Sequence, residues 1–106
     1  MAEPGNVVLM ALTAAMARRL LDTITQDSSR IDFTTHARDR MRERGFTTSQ
    51  VLCCLKHGRI VEGPARDVKG NWKLNIQGLS AGDVLTCVVA LDHDQRGDHA
   101  IVVTVF

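Results

Sequence analysis

The spacing of apolar residues changes once along this chain, just past its midpoint. Up to Gly58, apolar residues recur every three or four positions, which is the period of an amphipathic helix. After Gly58 they alternate with polar residues or form β-branched runs, as strands do. This change predicts an α+β fold, with N-terminal helices followed by and packed on a four-stranded antiparallel sheet. We expect one domain over residues 1–106, with residues 1–29 as an N-terminal helix and linker and residues 30–106 as the core.

The first predicted helix covers residues 6–25, with Asn6 as its N-cap. Its apolar side chains fall close to one face at Leu9, Leu12, Met16, Leu20 and Ile24. Neighbouring small and apolar residues widen this face, so the helix is apolar over much of its circumference. Such a helix packs either on its own domain or on a partner chain, and the second alternative is a homodimer through residues 6–25.

Two short helices follow, and both carry capping signals. Thr34 or Thr35 can cap the start of the second helix, and Gly45 can take the left-handed conformation at its end. A third helix is predicted over residues 47–57, because its opening Thr-Thr-Ser-Gln is a capping box. We therefore expect these two helices to form a tight pair.

Four strands are predicted after the helices. They cover residues 59–62, 71–77, 84–91 and 100–106. The second strand alternates strictly and places Trp72, Leu74 and Ile76 on one side, as a half-buried antiparallel strand does. Because the connections between consecutive strands are short, an antiparallel meander is expected.

The composition excludes several classes of nucleic-acid binder. The chain has only four aromatic residues and no tyrosine, so the base-stacking platforms of RRM or OB-type modules are not expected. Its net charge is +1, which is not the field of a general nucleic-acid binder. Five arginines nevertheless lie between residues 30 and 44, against three acidic residues. An anion site, if there is one, must therefore be local.

Cysteine usage and the N-terminal segment predict a cytoplasmic protein. Cys53, Cys54 and Cys87 form no framework spacing, which indicates free thiols in a reducing compartment. Cys87 lies among apolar strand residues and is expected to be buried and unreactive. The apolar run near the N-terminus is too short to span a bilayer and follows no basic segment, so neither a membrane span nor a signal peptide is expected.

No cofactor or metal site is predicted. The segment from Asp92 to His99 offers carboxylates and imidazoles, but its spacing matches neither a calcium loop nor a zinc site. A hairpin loop is the preferred interpretation. The isolated glycines form no loop that could cradle a phosphate.

The strongest candidate chemistry lies on the second helix. His36, Arg40 and Arg44 repeat at the spacing that aligns side chains on one helical face. An imidazole can both give and take a proton near neutral pH, and guanidinium groups bind anions. Arg38 and Arg42 have acidic neighbours in the next turn, so solvated ion pairs are an equal alternative for these two.

The string from His36 to Phe46, His-Ala-Arg-x-Arg-Met-x-Glu-Arg-Gly-Phe, resembles that of a small bacterial domain family of unknown function. The similarity continues through a capped helix, a strand with a central aromatic residue and a closing Val-Val-Thr-Val run, over about residues 30–106. The family is similar to the RelE/BrnT-like toxins, whose helices pack on one side of a four-stranded antiparallel sheet. That group of toxins contains metal-independent endoribonucleases.

The resemblance implies a site formed by His36, Arg40 and Arg44 on the helix and Thr104 on the last strand. On its pattern alone, Thr104 is more typical of an exposed strand threonine. Cleavage of RNA without a metal requires a base for the 2′-hydroxyl, an acid for the leaving 5′-oxygen and cations for the developing charge. His36 provides one proton carrier. The candidates for the second are His57, His93 and His99, and the sequence does not choose among them.

Three classes of function therefore remain open. The first is an endoribonuclease of toxin–antitoxin type that acts on RNA phosphodiesters and pairs with an antitoxin protein. The second is a non-catalytic binding module that uses the same helix for a protein or an anionic ligand. The third is a structural domain whose apolar first helix drives homodimerisation. The charge of only +1 and the missing second proton carrier favour the binding module, whereas the helix motif favours the nuclease.

Overall fold

The protein is described from a computed structural model over residues 12–95 and 97–106, with only the backbone described at Asp94. These residues form three α-helices, five strands and one short 3-10 turn at Ser28–Arg30, which lies between the first helix and the first strand. The helices are α1 (Ala14–Ile24), α2 (Thr35–Arg44) and α3 (Thr48–His57). The strands are β1 (Ile31–Phe33), β2 (Arg59–Arg66), β3 (Trp72–Ser80), β4 (Asp83–Asp94) and β5 (Gly97–Val105).

The five strands form one mixed sheet in the order β1-β5-β4-β3-β2. Strands β2 to β5 form the expected antiparallel meander, so the α+β class is confirmed. The prediction of only four strands, all antiparallel, is wrong because β1 joins the sheet parallel to β5, with Ile31 opposite Ala100 and Phe33 opposite Val102. A three-residue strand is too short to show an alternating pattern, and it is stabilised by the edge of β5 rather than by its own sequence.

The first helix begins later than its apolar pattern predicts. Thr13 is extended and its side chain accepts a hydrogen bond from Met16 N at 3.1 Å, so it is the N-cap. The prediction of a continuous helix from Asn6 is therefore wrong, because Leu12 and Thr13 are not helical. Residues 6–11 of the predicted helix lie outside the described residues. The buried side of α1 carries Ala17, Leu21 and Ile24. It overlaps the predicted face at Ile24, but it is rotated towards Leu21, and Met16 and Leu20 of the predicted face are only partly buried.

The caps of α2 and α3 agree with the sequence. Thr34 accepts from Ala37 N at 2.9 Å, and Gly45 closes α2 in the left-handed region at φ 73°. The capping box of α3 is complete, since the Thr47 hydroxyl accepts from Gln50 N and the Gln50 side chain accepts from Thr47 N. Both short helices are thus specified mainly by local residues.

The core lies between the helices and one face of the sheet. Two cross-strand rows on that face are Trp72, Leu91 and Ala100, and Leu74, Val89 and Val102. All three helices contribute to the same buried cluster, whose helical members are Ala17, Leu21, Ile24, Ala37, Met41, Val51, Cys54 and Leu55. None of the described helices is long and apolar enough to cross a membrane.

Candidate functional site

The start of α2 is fixed to the last strand by one residue. Thr34 donates its backbone N–H to Val102 O at 3.1 Å and its hydroxyl to Val103 O at 2.7 Å, while the same hydroxyl oxygen accepts from Ala37 N. This places His36 in the first turn of the helix. The His36 side chain is exposed and makes no hydrogen bond or ion pair with the described residues. Its imidazole is therefore available to a ligand.

Arg40 lies one turn further along and is held at the end of β5. Its side chain is 32% exposed, and its Nε donates to Val105 O at 3.4 Å. One of its terminal nitrogens forms an ion pair with the Glu43 carboxylate at 3.2 Å. The spacing of three residues between Arg40 and Glu43 permits this pair on the helix surface.

The remaining arginines of α2 are exposed and differ in how they are held. The guanidinium of Arg44 lies 5.8 Å from the centre of the Phe46 ring, and that of Arg38 lies 5.0 Å from the centre of the Phe33 ring. Arg42 pairs with Asp39 at 3.1 Å and is 77% exposed. The expected solvated ion pair is thus present at Arg42, whereas Arg38 stacks on an aromatic ring instead.

Thr104 lies near the same end of β5 but on the other face of the sheet. It is paired with Val88 across the strands, whereas its neighbour Val105 is paired with Cys87 and faces the core. Its hydroxyl oxygen is buried and has no hydrogen-bond partner among the described residues. Arg40 contacts the backbone of the adjacent Val105, so Thr104 and α2 lie at the same end of the strand. Among the described residues, no hydrogen bond joins them.

The other histidines lie away from α2. His99 is 5% exposed and its Nε2 is 3.9 Å from Asp92 Oδ2, at the opposite end of β5. His93 contacts Asp98 at 2.7 Å in the same hairpin. His99 and Val105 are six residue steps apart along the strand, which is roughly 20 Å at about 3.3 Å per step.

His57 is also distant from α2. It ends α3 directly before β2, which is the edge strand on the far side of the sheet from β1. Three strand spacings separate β2 from β5, or about 14 Å. Hence none of the three candidates for a second proton carrier lies beside His36.

Two features of the surface were missed by sequence reasoning. The aromatic rings that support Arg38 and Arg44 flank the helix in sequence, so their proximity could have been recognised. The contact between Arg40 and Val105 joins residues 65 positions apart, and no local pattern indicates it. The sequence therefore locates the cationic helix but not the strand end against which it packs.

The fold and this surface define a class of small α+β domain in which one short cationic helix lies along the end of a mixed sheet. The family described as "Domain of unknown function (DUF4258)" matches residues 33–106 of this chain, and the chain belongs to that family. The matched region contains α2, α3 and strands β2 to β5, and it leaves out α1. Comparison with curated proteins and with solved structures found no match.

Proposed function

We propose that this protein is a metal-independent endoribonuclease of toxin–antitoxin type, with its site on α2. The observation that carries the proposal is the exposed His36 one turn before Arg40, whose guanidinium is held at the end of β5. One turn of helix separates them by about 6 Å along the axis, which suits two groups that act on one phosphodiester. The helix motif and its resemblance to RelE/BrnT-like toxins support the same activity.

The chemistry requires one proton carrier and one anion-binding group at the scissile phosphate. His36 takes the proton of the 2′-hydroxyl, and the freed oxygen attacks phosphorus as the bond to the 5′-oxygen breaks. Arg40 holds the non-bridging oxygens, where negative charge increases in the transition state. The departing 5′-oxygen receives a proton from water or from His36 after its protonation.

Arg40 is available for this role although it is paired in the free protein. Glu43 is mostly exposed, and such surface ion pairs contribute only about 0.2–1 kcal/mol. An RNA phosphate can therefore replace the Glu43 carboxylate as the partner of Arg40. The contact to Val105 O keeps the guanidinium at the strand end during the exchange.

Arg44 and Thr104 act around this centre in the proposal. Arg44 lies two turns from His36, about 12 Å along the helix, so we assign it to a neighbouring phosphate of the RNA chain. The resemblance assigns Thr104 to the same centre, and its buried hydroxyl, which no described residue satisfies, lies at the same end of β5 on the other face of the sheet. A phosphate therefore reaches this hydroxyl only around the end of the strand, after local opening. An antitoxin protein with an acidic surface would cover the same helix.

The test is single-turnover cleavage of a labelled single-stranded RNA by the full chain in the presence of EDTA. His36→Ala should reduce the rate by about 10²–10⁴-fold, the usual contribution of a general acid or base. Arg40→Lys should reduce it by about tenfold or more, because lysine cannot form a bidentate pair with phosphate. The matched control is Arg42→Gln, which removes an exposed arginine already paired with Asp39 and should change the rate by less than about twofold.

A non-catalytic binding module is the second candidate, and one observation favours it. The histidines that could supply a second proton, His57, His93 and His99, all lie away from α2. If the wild-type chain binds RNA with a steep salt dependence but leaves it intact, the binding module replaces the nuclease. If Arg40→Gln and Arg44→Gln then leave that affinity unchanged, α2 is not the binding surface either.

A further inference from the structure

Two thiols meet in the core beneath α3. Cys54 lies on the inward side of α3 and Cys87 in the middle of β4, and Cys87 is fully buried. The sulfur of Cys54 lies 3.6 Å from Leu85 O and 3.8 Å from Ile76 O. Ile76 is the cross-strand partner of Cys87, and Leu85 precedes Cys87 by two residues on the same face of β4, so these contacts place Cys54 beside the part of the sheet that carries Cys87.

A glycine allows this close approach of helix and sheet. A Cβ atom at Gly78 would lie 3.4 Å from the sulfur of Cys54 and 3.8 Å from its Cα. Because Gly78 has no side chain, the backbone of α3 at Cys54 lies close to β3 and β4. A disulfide needs Cα atoms about 4.4–6.8 Å apart. The close approach of α3 to the sheet at Gly78 therefore favours such a link.

The two sulfurs are chemically different. The hydrogen bond from Cys87 lowers the pKa of Cys54, and the nearby Arg18 guanidinium acts in the same direction, while burial opposes both. The same hydrogen bond, together with burial, raises the pKa of Cys87 well above its usual range. Cys54 is therefore the thiol that ionises first, and Cys87 is the proton donor beside it.

We propose that Cys54 and Cys87 form an oxidation site, at which a peroxide converts the buried dithiol to a disulfide that ties α3 to β4. The Cys54 thiolate attacks one peroxide oxygen, the O–O bond breaks, and the released hydroxide takes the proton that Cys54 lost. Cys54 is then a sulfenic acid. The sulfur of Cys87 attacks it, the S–O bond breaks, and the second hydroxide takes the proton of Cys87. One peroxide thus oxidises two thiols and yields two waters.

This site differs from the exposed thiol next to it in sequence. Cys53 faces solvent and has no thiol beside it among the described residues, so its oxidation ends at a sulfenic acid or in a bond between two chains. Cys54 is nearly buried, and peroxide reaches it through local opening of α3. The internal disulfide is therefore expected to form more slowly than the oxidation of Cys53, and to form within one chain.

The experiment uses the full chain with Cys53→Ser, which leaves only the buried pair. The folded protein is treated with hydrogen peroxide, and its remaining thiols are then blocked with N-ethylmaleimide after denaturation. Trypsin cleavage without reduction should yield the peptides of residues 45–56 and 74–96 joined by a disulfide. The Tm should rise by about 5 °C or more, because the link constrains the unfolded chain, and dithiothreitol should reverse the rise.

Two outcomes would overturn the proposal. One is that both thiols are still alkylated after peroxide treatment of the folded protein. The other is a joined peptide found only in cross-linked pairs of chains. Neither depends on a substitution in the core. As a further check, Cys87→Ala in the same background should leave Cys54 as a sulfenic acid that dimedone labels.

Discussion

At the scale of single residues, two glycines end two helices for different reasons. Gly45 has φ 73°, and apart from its chain neighbours no atom of the described residues lies within 4 Å of the position where its Cβ would stand, so backbone conformation alone requires glycine. Gly58 has an ordinary φ of −71°. A Cβ there would lie 2.5 Å from Cys54 O, 2.7 Å from Ile76 Cγ2 and 2.9 Å from Gln77 O, so close contact with the last turn of α3 and with the sheet requires glycine.

Substitutions at these glycines should separate the two causes. Gly45→Ala is expected to lower the free energy of unfolding by about 1–2 kcal/mol, and Gly45→Asn by less, because asparagine tolerates the left-handed region. Gly58→Ala and Gly58→Asn should both cost about 1–3 kcal/mol or more, since either side chain overpacks the same contact. Urea unfolding measures all four. Equal tolerance of asparagine at the two sites would contradict this assignment.

Residue-level prediction succeeded where the interacting groups are close in sequence. The caps at Thr34 and Thr47 and the left-handed Gly45 depend on partners within five residues, so the sequence specifies them. Arg18 was not identified, although it donates to Leu55 O and to Gly58 O and so satisfies carbonyls at the end of α3. Those partners lie 37 and 40 positions away, and no pattern in the sequence indicates them.

At the scale of elements, the apolar helix α1 shows what periodicity does and does not determine. The pattern predicts a helix, and the helix is present. However, α1 is apolar over so much of its circumference that the pattern does not identify which side is buried. Leu21 is fully buried in the core, while Leu20 and Met16 are only half-buried. Contacts with β2, β5 and α3 decide the rotation of the helix.

The rotation of α1 can be tested with two neighbouring leucines. Leu21→Ala should lower the free energy of unfolding by about 2–5 kcal/mol, because it removes a fully buried side chain. Leu20→Ala, one position earlier, should cost distinctly less. Thermal and urea unfolding of the two variants provide the comparison. A larger loss of unfolding free energy for Leu20→Ala than for Leu21→Ala would contradict this rotation. It would mean that α1 buries the face that periodicity favours, or that a second copy of the chain covers Leu20.

Strand β1 marks the limit of prediction at this scale. Its three residues carry one apolar side chain at each end, which is too little to distinguish a strand from a helix start. It forms because the chain that enters α2 runs alongside the free edge of β5. The same path brings Thr34 to Val102 and Val103, and so fixes where His36 begins its helix.

At the scale of the whole molecule, the position of the candidate site follows from topology. The spacing of His36, Arg40 and Arg44 could be read from the sequence, and the structure keeps these residues on one short exposed helix. The distance from His36 to His93 and His99 could not be predicted from the sequence, because it depends on which end of β5 the helix contacts. The α+β class by itself does not determine the activity, because many functions share one fold.

The proposed nuclease is tested most directly by the products of a single RNA. A short RNA is incubated with the wild-type chain in EDTA, and its products are analysed by mass spectrometry. A deoxy strand of the same sequence, which lacks every 2′-hydroxyl, is treated in the same way. Cleavage by His36 and Arg40 should yield fragments that end in a 2′,3′-cyclic phosphate and begin with a 5′-hydroxyl. The deoxy strand should stay intact, because the attacking 2′-oxygen is missing. Intact RNA in both samples, or equal cleavage of the deoxy substrate, would contradict the assignment of His36 and Arg40 to phosphodiester cleavage.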